Sequence, residues 1–208
     1  MTTVATPPAE AELARPTRCL RTIDGRVLSL PADRWFGPVT PTERRLLERA
    51  EGPTLDIGCG PARHALALAE SGIVSLGIDI SLPALTVARM RGAPVLQRSI
   101  FDRVPGHGRW GTALLLDGNV GIGGSPAILL VRVAGLLRAG GRALLEVGAP
   151  GTPSTRDTVR LEHDGSVGPW FEWANVGVDD LDSLACGAGM RVVDTWTDSR
   201  RWFAQLDS

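Results

Sequence analysis

The stretch from Pro53 to Asp79, PTLDIGCGPARHALALAESGIVSLGID, constrains the fold more than any other part of the chain. A short apolar run ends in Asp56. The glycine-rich turn Gly58-Cys59-Gly60-Pro61 follows, and then roughly three turns of alanine- and leucine-rich helix from Ala62 to Ser71. A second apolar run, Ile73 to Ile78, ends in Asp79. Strand, turn, helix and strand in this order form a βαβ unit, whose two strands must run parallel. An acid stands at the carboxyl end of each, the edge at which open α/β sheets bind their ligands.

The alternation continues downstream. Ser81 caps a helix over Leu82 to Arg91, with Pro83 tolerated in its first turn, and Pro94 to Ile100 reads as a third strand. Trp110 to Leu116 is apolar almost throughout, as a strand covered on both faces must be, and ends in Asp117. A glycine-rich loop, Gly118 to Gly124, leads to Ser125-Pro126, where a helix starts that ends before Gly140-Gly141. Arg142 to Val147 is a fifth strand. Thr158 to His163 and Val167 to Val176 form a hairpin about Asp164-Gly165 that carries Trp170, Phe171 and Trp173. Asp179 to Cys186 is a short helix. Met190 to Trp196 and Arg201 to Leu206 are joined by a turn so short that they must be antiparallel.

Upstream, Met1 to Pro16 is an aperiodic tail and Cys19 to Leu30 a small hairpin about Asp24-Gly25. Trp35-Phe36-Gly37-Pro38 is an apolar pair and a turn. Thr40-Pro41-Thr42-Glu43 is a capping box that opens a helix to Ala50, with Leu46 and Leu47 on its buried side. This leading segment either packs against the sheet or covers the active site. The expected architecture is α/β: a three-layer open twisted sheet, mostly parallel with an antiparallel C-terminal strand, and helices on both faces.

Composition removes several chemistries. All 22 basic residues are Arg; the chain has no Lys and no Tyr. A Schiff-base lysine, a Walker-type phosphate lysine and a tyrosine-based dehydrogenase are therefore excluded. A net charge of −1 gives no global field for nucleic acid or an anionic membrane. Cys19, Cys59 and Cys186 are odd in number and lack metal-ligand spacing, so neither a disulfide framework nor a metal site is expected. Ala127 to Leu137, the best membrane candidate, is broken by Arg132, and no signal peptide is expected. The expected location is cytoplasmic.

The turn itself discriminates between ligands. A dinucleotide site wants Gly or Ala at the sixth position of its fingerprint, where this chain has the bulky Arg63, and has no need of Asp56 before the turn. An acid there suits a cationic amine. A helix N-terminus suits a carboxylate, and Asp79 suits a ribose diol. Amine, carboxylate and ribose together describe S-adenosylmethionine (SAM). Residues 53–147 resemble a class I SAM-dependent methyltransferase: Leu55-Asp56-Ile57-Gly58-Cys59-Gly60-Pro61 is similar to its first motif, Gly77-Ile78-Asp79 to its second-strand acid, and Leu136 to Leu144 to its helix-to-fifth-strand signature.

That resemblance implies roles. Asp56 would bind the methionyl ammonium directly or through water, and Gly58, Cys59 and Gly60 would line the methionyl portion, with the Cys59 side chain a small filler rather than a nucleophile. Asp79 would take the ribose hydroxyls, and Ile80 or Leu82 would pack on the adenine. Ser99 and Asp102 compete for the position that reads the adenine amine, Asp102 being the better acceptor. Ala62 stands where many members have a third glycine. The fourth-strand end, Asp117-Gly118-Asn119, would face the transferred methyl, so Asp117 and Asn119 are candidates for orienting the nucleophile. The loop is not the Pro-Pro-Tyr type of amino-group DNA methylases. Of the three histidines, His64 lies on the cofactor side, His107 is remote from the methyl, and His163 lies in the hairpin that covers the acceptor in this family, making it the candidate base. Trp35, Trp170, Phe171 and Trp173 wall an apolar acceptor or belong to the core, and Glu146 reads as structural.

The resemblance divides the chain into a tail (1–16) and one methyltransferase domain (17–208). That domain comprises an N-terminal cap (17–52), a SAM-binding core (53–148), a hairpin insertion (156–176) and C-terminal strands (177–208). The expected reaction is methyl transfer to O, N or C of a small-molecule acceptor by a monomer or homodimer, with no nucleic-acid or membrane partner and no metal. The alternatives are a non-catalytic SAM-binding protein and a nicotinamide-dependent oxidoreductase.

Overall fold

The computed structural model describes residues 18–30, 32–163 and 166–208. In chain order the elements are β1 (Arg18–Thr22), β2 (Val27–Ser29), α1 (Ala32–Phe36), α2 (Pro41–Leu47), β3 (Thr54–Ile57), α3 (Arg63–Glu70), β4 (Ser75–Asp79), α4 (Leu82–Met90), β5 (Val95–Gln97), β6 (Trp110–Leu115), α5 (Pro126–Leu136), β7 (Leu137–Val147), β8 (Thr155–His163), β9 (Ser166–Asn175), α6 (Leu181–Gly187), β10 (Arg191–Asp198) and β11 (Arg201–Asp207). The expected tail, Met1 to Pro16, and the hairpin turn Asp164-Gly165 lie outside the described residues.

Seven strands form the central sheet in the order β10-β11-β7-β6-β3-β4-β5. Neighbours from β7 to β5 run parallel, and β11 lies antiparallel between β7 and β10. The strands are staggered so that Asp56 is level with Gly77 and Leu114, and Asp79 with Gln97. β3 and β6, at the middle of the sheet, are buried at every residue. Alternation along β6, β7 and β11 splits the core in two. Ala113, Leu115, Ala143, Leu145, Ala204 and Leu206 face α5 and α6, while Leu114, Leu116, Leu144 and Phe203 face α2 and α3. A third cluster, built on Ala62, Ala65, Leu85 and Ala88, packs α3 against α4.

The two hairpins expected as separate units are one structure. β1 pairs antiparallel with β8 as well as with β2, so β2-β1-β8-β9 is a four-stranded accessory sheet. Leu20, Thr22, Val159, Phe171 and Trp173 share one of its faces, and of these Leu20, Thr22 and Val159 are buried. That face turns toward the carboxyl edge of the central sheet.

Candidate active site

A cavity of about 410 Å³ opens at the carboxyl ends of β3, β4 and β5. It is lined by Ile57, Gly58, Ile78 and Asp79, by Ile80 and the segment 98–101 after β5, by Asn119, Ile122 and Gly123 after β6, and by Phe171 to Trp173 of β9. The parallel strands deliver these residues together because side chains at strand ends, and the loops that follow them, converge on this edge.

Asp79 is the fixed point. The Gly60 N–H donates to its Oδ2 and the Ser81 N–H to its Oδ1, both at 2.8 Å. A carboxylate has about four acceptor sites, so further hydroxyl donors are accommodated. The Arg98 amide donates to the Asp79 carbonyl at 2.9 Å, which sets the segment 98–101 one step outward. There, Ile80, Ile100 and Phe101 offer an apolar slot. The other polar groups are the Arg98 guanidinium, whose Nε is buried without a hydrogen-bond partner, and Ser99 Oγ, which accepts the Phe101 amide at 3.2 Å.

Asn119 is a clamp. Its Nδ2 donates to the carbonyls of Ile57 (2.8 Å) and Gly58 (3.0 Å), tying the loop after β6 to the turn after β3. The accessory sheet is fastened to the same loop by an isolated antiparallel bridge, Ile122 to Trp173. Two glycines make this close approach possible: a Cβ at Gly121 would collide with the Ala174 carbonyl oxygen, and one at Gly123 would stand 2.7 Å from the Phe101 ring.

Beside the cavity, the ends of β6, β7 and β11 carry a charge network. Arg63 Nη2 donates to Glu43 Oε1 (2.7 Å) and to Asp117 Oδ1 (2.9 Å), and Arg34 Nη2 donates to Asp117 Oδ1 (2.9 Å). Arg201 forms a fork on Glu146 (Nε 2.8 Å, Nη2 2.6 Å) and reaches Glu43 at 3.0 Å. Glu43, fully buried, also accepts the Thr40 amide as the capping box requires. Burial alone would raise the Glu43 carboxyl. His64 Nε2 at 3.6 Å, the Arg63 hydrogen bond and the Thr40 amide overturn that and hold it far below the ordinary carboxylate range.

The candidate residues separate accordingly. Gly58, Asp79, Ile80 and Asn119 line the cavity. Gly60 reaches it through its amide on Asp79. Leu82, half exposed on the first turn of α4, is not among the lining residues, and neither is Asp102, whose loop lines a different depression. Ser99 lines the cavity and Asp102 does not, because the chain turns outward after Ile100 and Arg132 holds it there by donating to the Ile100 and Asp102 carbonyls (2.9 and 2.6 Å). Cys59 points away beneath the sheet: a Cβ on Gly77 would lie 2.7 Å from its Sγ, and burial pushes its thiol well above the ordinary range.

Asp56 is also withdrawn. Its neighbours Leu55 and Ile57 join the α5 side of the core, so its carboxylate turns to the α3 side, 4.0 Å from His64 Nδ1 and with Oδ2 unpartnered. Burial raises its carboxyl, partly offset by His64 and Arg63. Asp117 belongs to the charge network. His163 closes β8, and its side chain lies outside the described residues. Sequence reasoning missed Arg98 and the network of Arg34, Glu43, Arg63 and Arg201. The clue available for Arg63 was its size where close packing wants a small residue; no local pattern marks the others. Among the described residues no group of three or more His, Cys, Asp and Glu side chains is placed to hold a metal ion, and no helix is long and apolar enough to cross a membrane.

A doubly anchored carboxylate beside a flat apolar slot with unpaired donors suits a nucleoside: hydroxyls on Asp79 and a base in the slot. A family model described as a methyltransferase domain matches residues 55–105. No curated protein sequence matches the chain. Among solved structures, a SAM-dependent methyltransferase from Bacteroides fragilis in complex with S-adenosyl-L-homocysteine superposes with a TM-score of 0.76, at 24% identity over 91% of this chain and 86% of that one. The CcbJ methyltransferase from Streptomyces caelestis gives 0.64, at 18% identity over 85% and 95%. A Burkholderia thailandensis 1,6-didemethyltoxoflavin-N1-methyltransferase, with that compound and S-adenosylhomocysteine bound, gives 0.59, at 17% identity over 81% and 78%. The course of the chain makes this a protein of the class I methyltransferase fold, and its residues 55–105 are similar to a methyltransferase domain.

Proposed function

We propose that the protein is a SAM-dependent methyltransferase acting on O, N or C of a small molecule. The observation that carries this reading is Asp79: a carboxylate at the end of β4, pinned by the Gly60 and Ser81 amides, on the wall of the cavity. In this reading Asp79 accepts the ribose hydroxyls, Ile80, Ile100 and Phe101 enclose the base, and the backbone of Gly58 to Gly60 approaches the methionyl chain. Asp56 supports that turn from behind rather than touching the ligand. SAM supplies an electrophilic methyl group on a sulfonium.

The chain's own residues contribute position more than proton transfer. The carboxylates that line the cavity are Asp79, held by two amides, and Glu172, which accepts Thr158 Oγ1 at 2.7 Å and Arg156 Nε at 2.9 Å. Those two partners hold the Glu172 carboxyl below its ordinary range. Asp117 is committed to Arg34 and Arg63. All three are already committed to donors of the chain itself. The reading therefore favours an acceptor that arrives with a free lone pair, oriented by proximity to Asn119, Trp173 and Phe171. The neighbour named as an N1-methyltransferase is consistent with such an acceptor.

Calorimetry tests this. S-adenosylhomocysteine should bind the wild-type protein, and Asp79→Ala should weaken it by about 30- to 100-fold, the loss of hydrogen bonds to a charged group. No binding of S-adenosylhomocysteine or SAM, or tight binding of NAD instead, overturns the reading.

A further inference from the structure

We infer that this site recognises the purine of its cofactor through the base's acceptor atoms and is indifferent to the exocyclic amine; the inference rests on the SAM reading above. Adenine offers two kinds of group: ring nitrogens that accept and an amine that donates. A site that reads the amine needs an acceptor aimed at the base, and the natural one is a carboxylate.

Among the described residues there is none at the base end of this cavity. The acid nearest in sequence, Asp102, lies outside the cavity. Among the described residues the only lining carboxylate in the β4–β5 part of the wall is Asp79, whose oxygens accept the Gly60 and Ser81 amides. What stands there instead is donors. Arg98 follows β5 directly, one step beyond the Asp79 carbonyl that its amide holds at 2.9 Å. Arg98 lines the cavity, and among the described residues its guanidinium makes no hydrogen bond or ion pair. An unpaired guanidinium on a cavity wall is open to an acceptor atom of a ligand. Ser99 is the second group. Its oxygen already accepts the Phe101 amide at 3.2 Å, which leaves its hydroxyl hydrogen free to donate. Ile80, Ile100 and Phe101 supply the flat apolar surfaces and no polar side-chain atom. The set therefore presents N–H and O–H groups to a heterocycle edge, the polarity opposite to that of an amine-reading acid.

The unsubstituted purine discriminates sharply, because it lacks the amine and keeps every ring-nitrogen acceptor. By calorimetry, wild-type protein should bind the 6-deamino (purine riboside) analogue of S-adenosylhomocysteine within about threefold of S-adenosylhomocysteine itself, since no acceptor is left without the amine. Arg98→Met should weaken both ligands by about tenfold, the loss of one charge-assisted donor. Ser99→Asp should restore discrimination and favour the adenosine compound by about tenfold or more. If wild-type protein binds S-adenosylhomocysteine but holds the 6-deamino analogue more than about 30-fold less tightly, the inference is wrong while the methyltransferase reading stands. If S-adenosylhomocysteine itself does not bind, the methyltransferase reading fails and this inference falls with it. The wild-type comparison needs no variant to fold.

Discussion

The two halves of the sheet's carboxyl edge are built from the same kind of strand and put to opposite uses. Over β3, β4 and β5 the edge is hollow: its polar groups, Asp79, Arg98 and Ser99, are fixed by backbone and left facing a cavity. Over β6, β7 and β11 it is filled: Glu43, Arg63, Asp117, Glu146 and Arg201 satisfy one another, with Arg34 added from α1. A charge spent on another side chain is not available to a substrate. The comparison thus separates acids that look alike in sequence. Asp79 and Asp117 both end an apolar strand, yet one keeps free acceptor capacity and the other is a counter-ion to two guanidinium groups.

The strongest way to break this comparison lies in the filled half. Arg63→Met leaves the fully buried Glu43 and the Asp117 carboxylate without a principal partner, and should cost about 3–5 kcal/mol of unfolding free energy in urea titrations. S-adenosylhomocysteine affinity of the molecules that remain folded should change little; a large loss of affinity with stability intact would show that the two halves are one site. A smaller effect is expected in the hollow half. Gly123→Ala places a Cβ against the Phe101 ring at a left-handed φ of 76° and should cost about 1–2 kcal/mol of stability. It should also weaken S-adenosylhomocysteine about tenfold as the ring moves into the slot. Unaltered binding in calorimetry would remove Phe101 from the ligand's wall.

The subtlest effect is in pH. The folded Glu43 carboxyl lies far below its ordinary value of 4.5, so the stabilisation it gives is complete above that value and is lost progressively as pH falls below it. The stability gap between wild type and Glu43→Gln should therefore be full at neutral pH and shrink below about pH 4.5. Asp56 acts in the other sense: its carboxyl is raised by burial, so lowering pH relieves a cost in the folded state. Urea midpoints across the acid range measure both, and a gap independent of pH would mean that Glu43 titrates alike in the folded and unfolded states.

Periodicity and turn chemistry are local, and the elements they specify were legible from residues alone. The βαβ unit, the Thr40–Glu43 capping box, the helices from Pro41 onward and both C-terminal strands lie where alternation and capping place them, with ends shifted by a few residues, whereas the short helix Ala32–Phe36 stands where an apolar pair and a turn were expected. The place of Asp79 was legible too. Partner choice is not local, and there the reading stopped. Nothing in Cys19 to Leu30 says that its first strand will pair with one near residue 160, because either hairpin's pattern satisfies many partners. Likewise Glu43 reads as half of a capping box, and only the fold brings Arg63 and Arg201 onto its second oxygen. Asp102 lies off the cavity for a related reason: a carboxylate is the better chemistry for an amine, but the chain's course after Ile100 decides which residue meets the cavity.

The accessory sheet carries a practical consequence for anyone who would transplant specificity. Its two hairpins are far apart in sequence, yet Arg21 on β1 hydrogen-bonds Glu162 at the end of β8 at 2.8 Å, and Phe171 and Trp173 reach the cavity from the neighbouring strand β9. A chimera that moves residues 155–175 alone onto another scaffold would carry an orphaned β8 edge, open to pairing with the wrong chain. Residues 18–29 must travel with them, so the exchangeable cassette of this protein is discontinuous in its gene and contiguous only once folded.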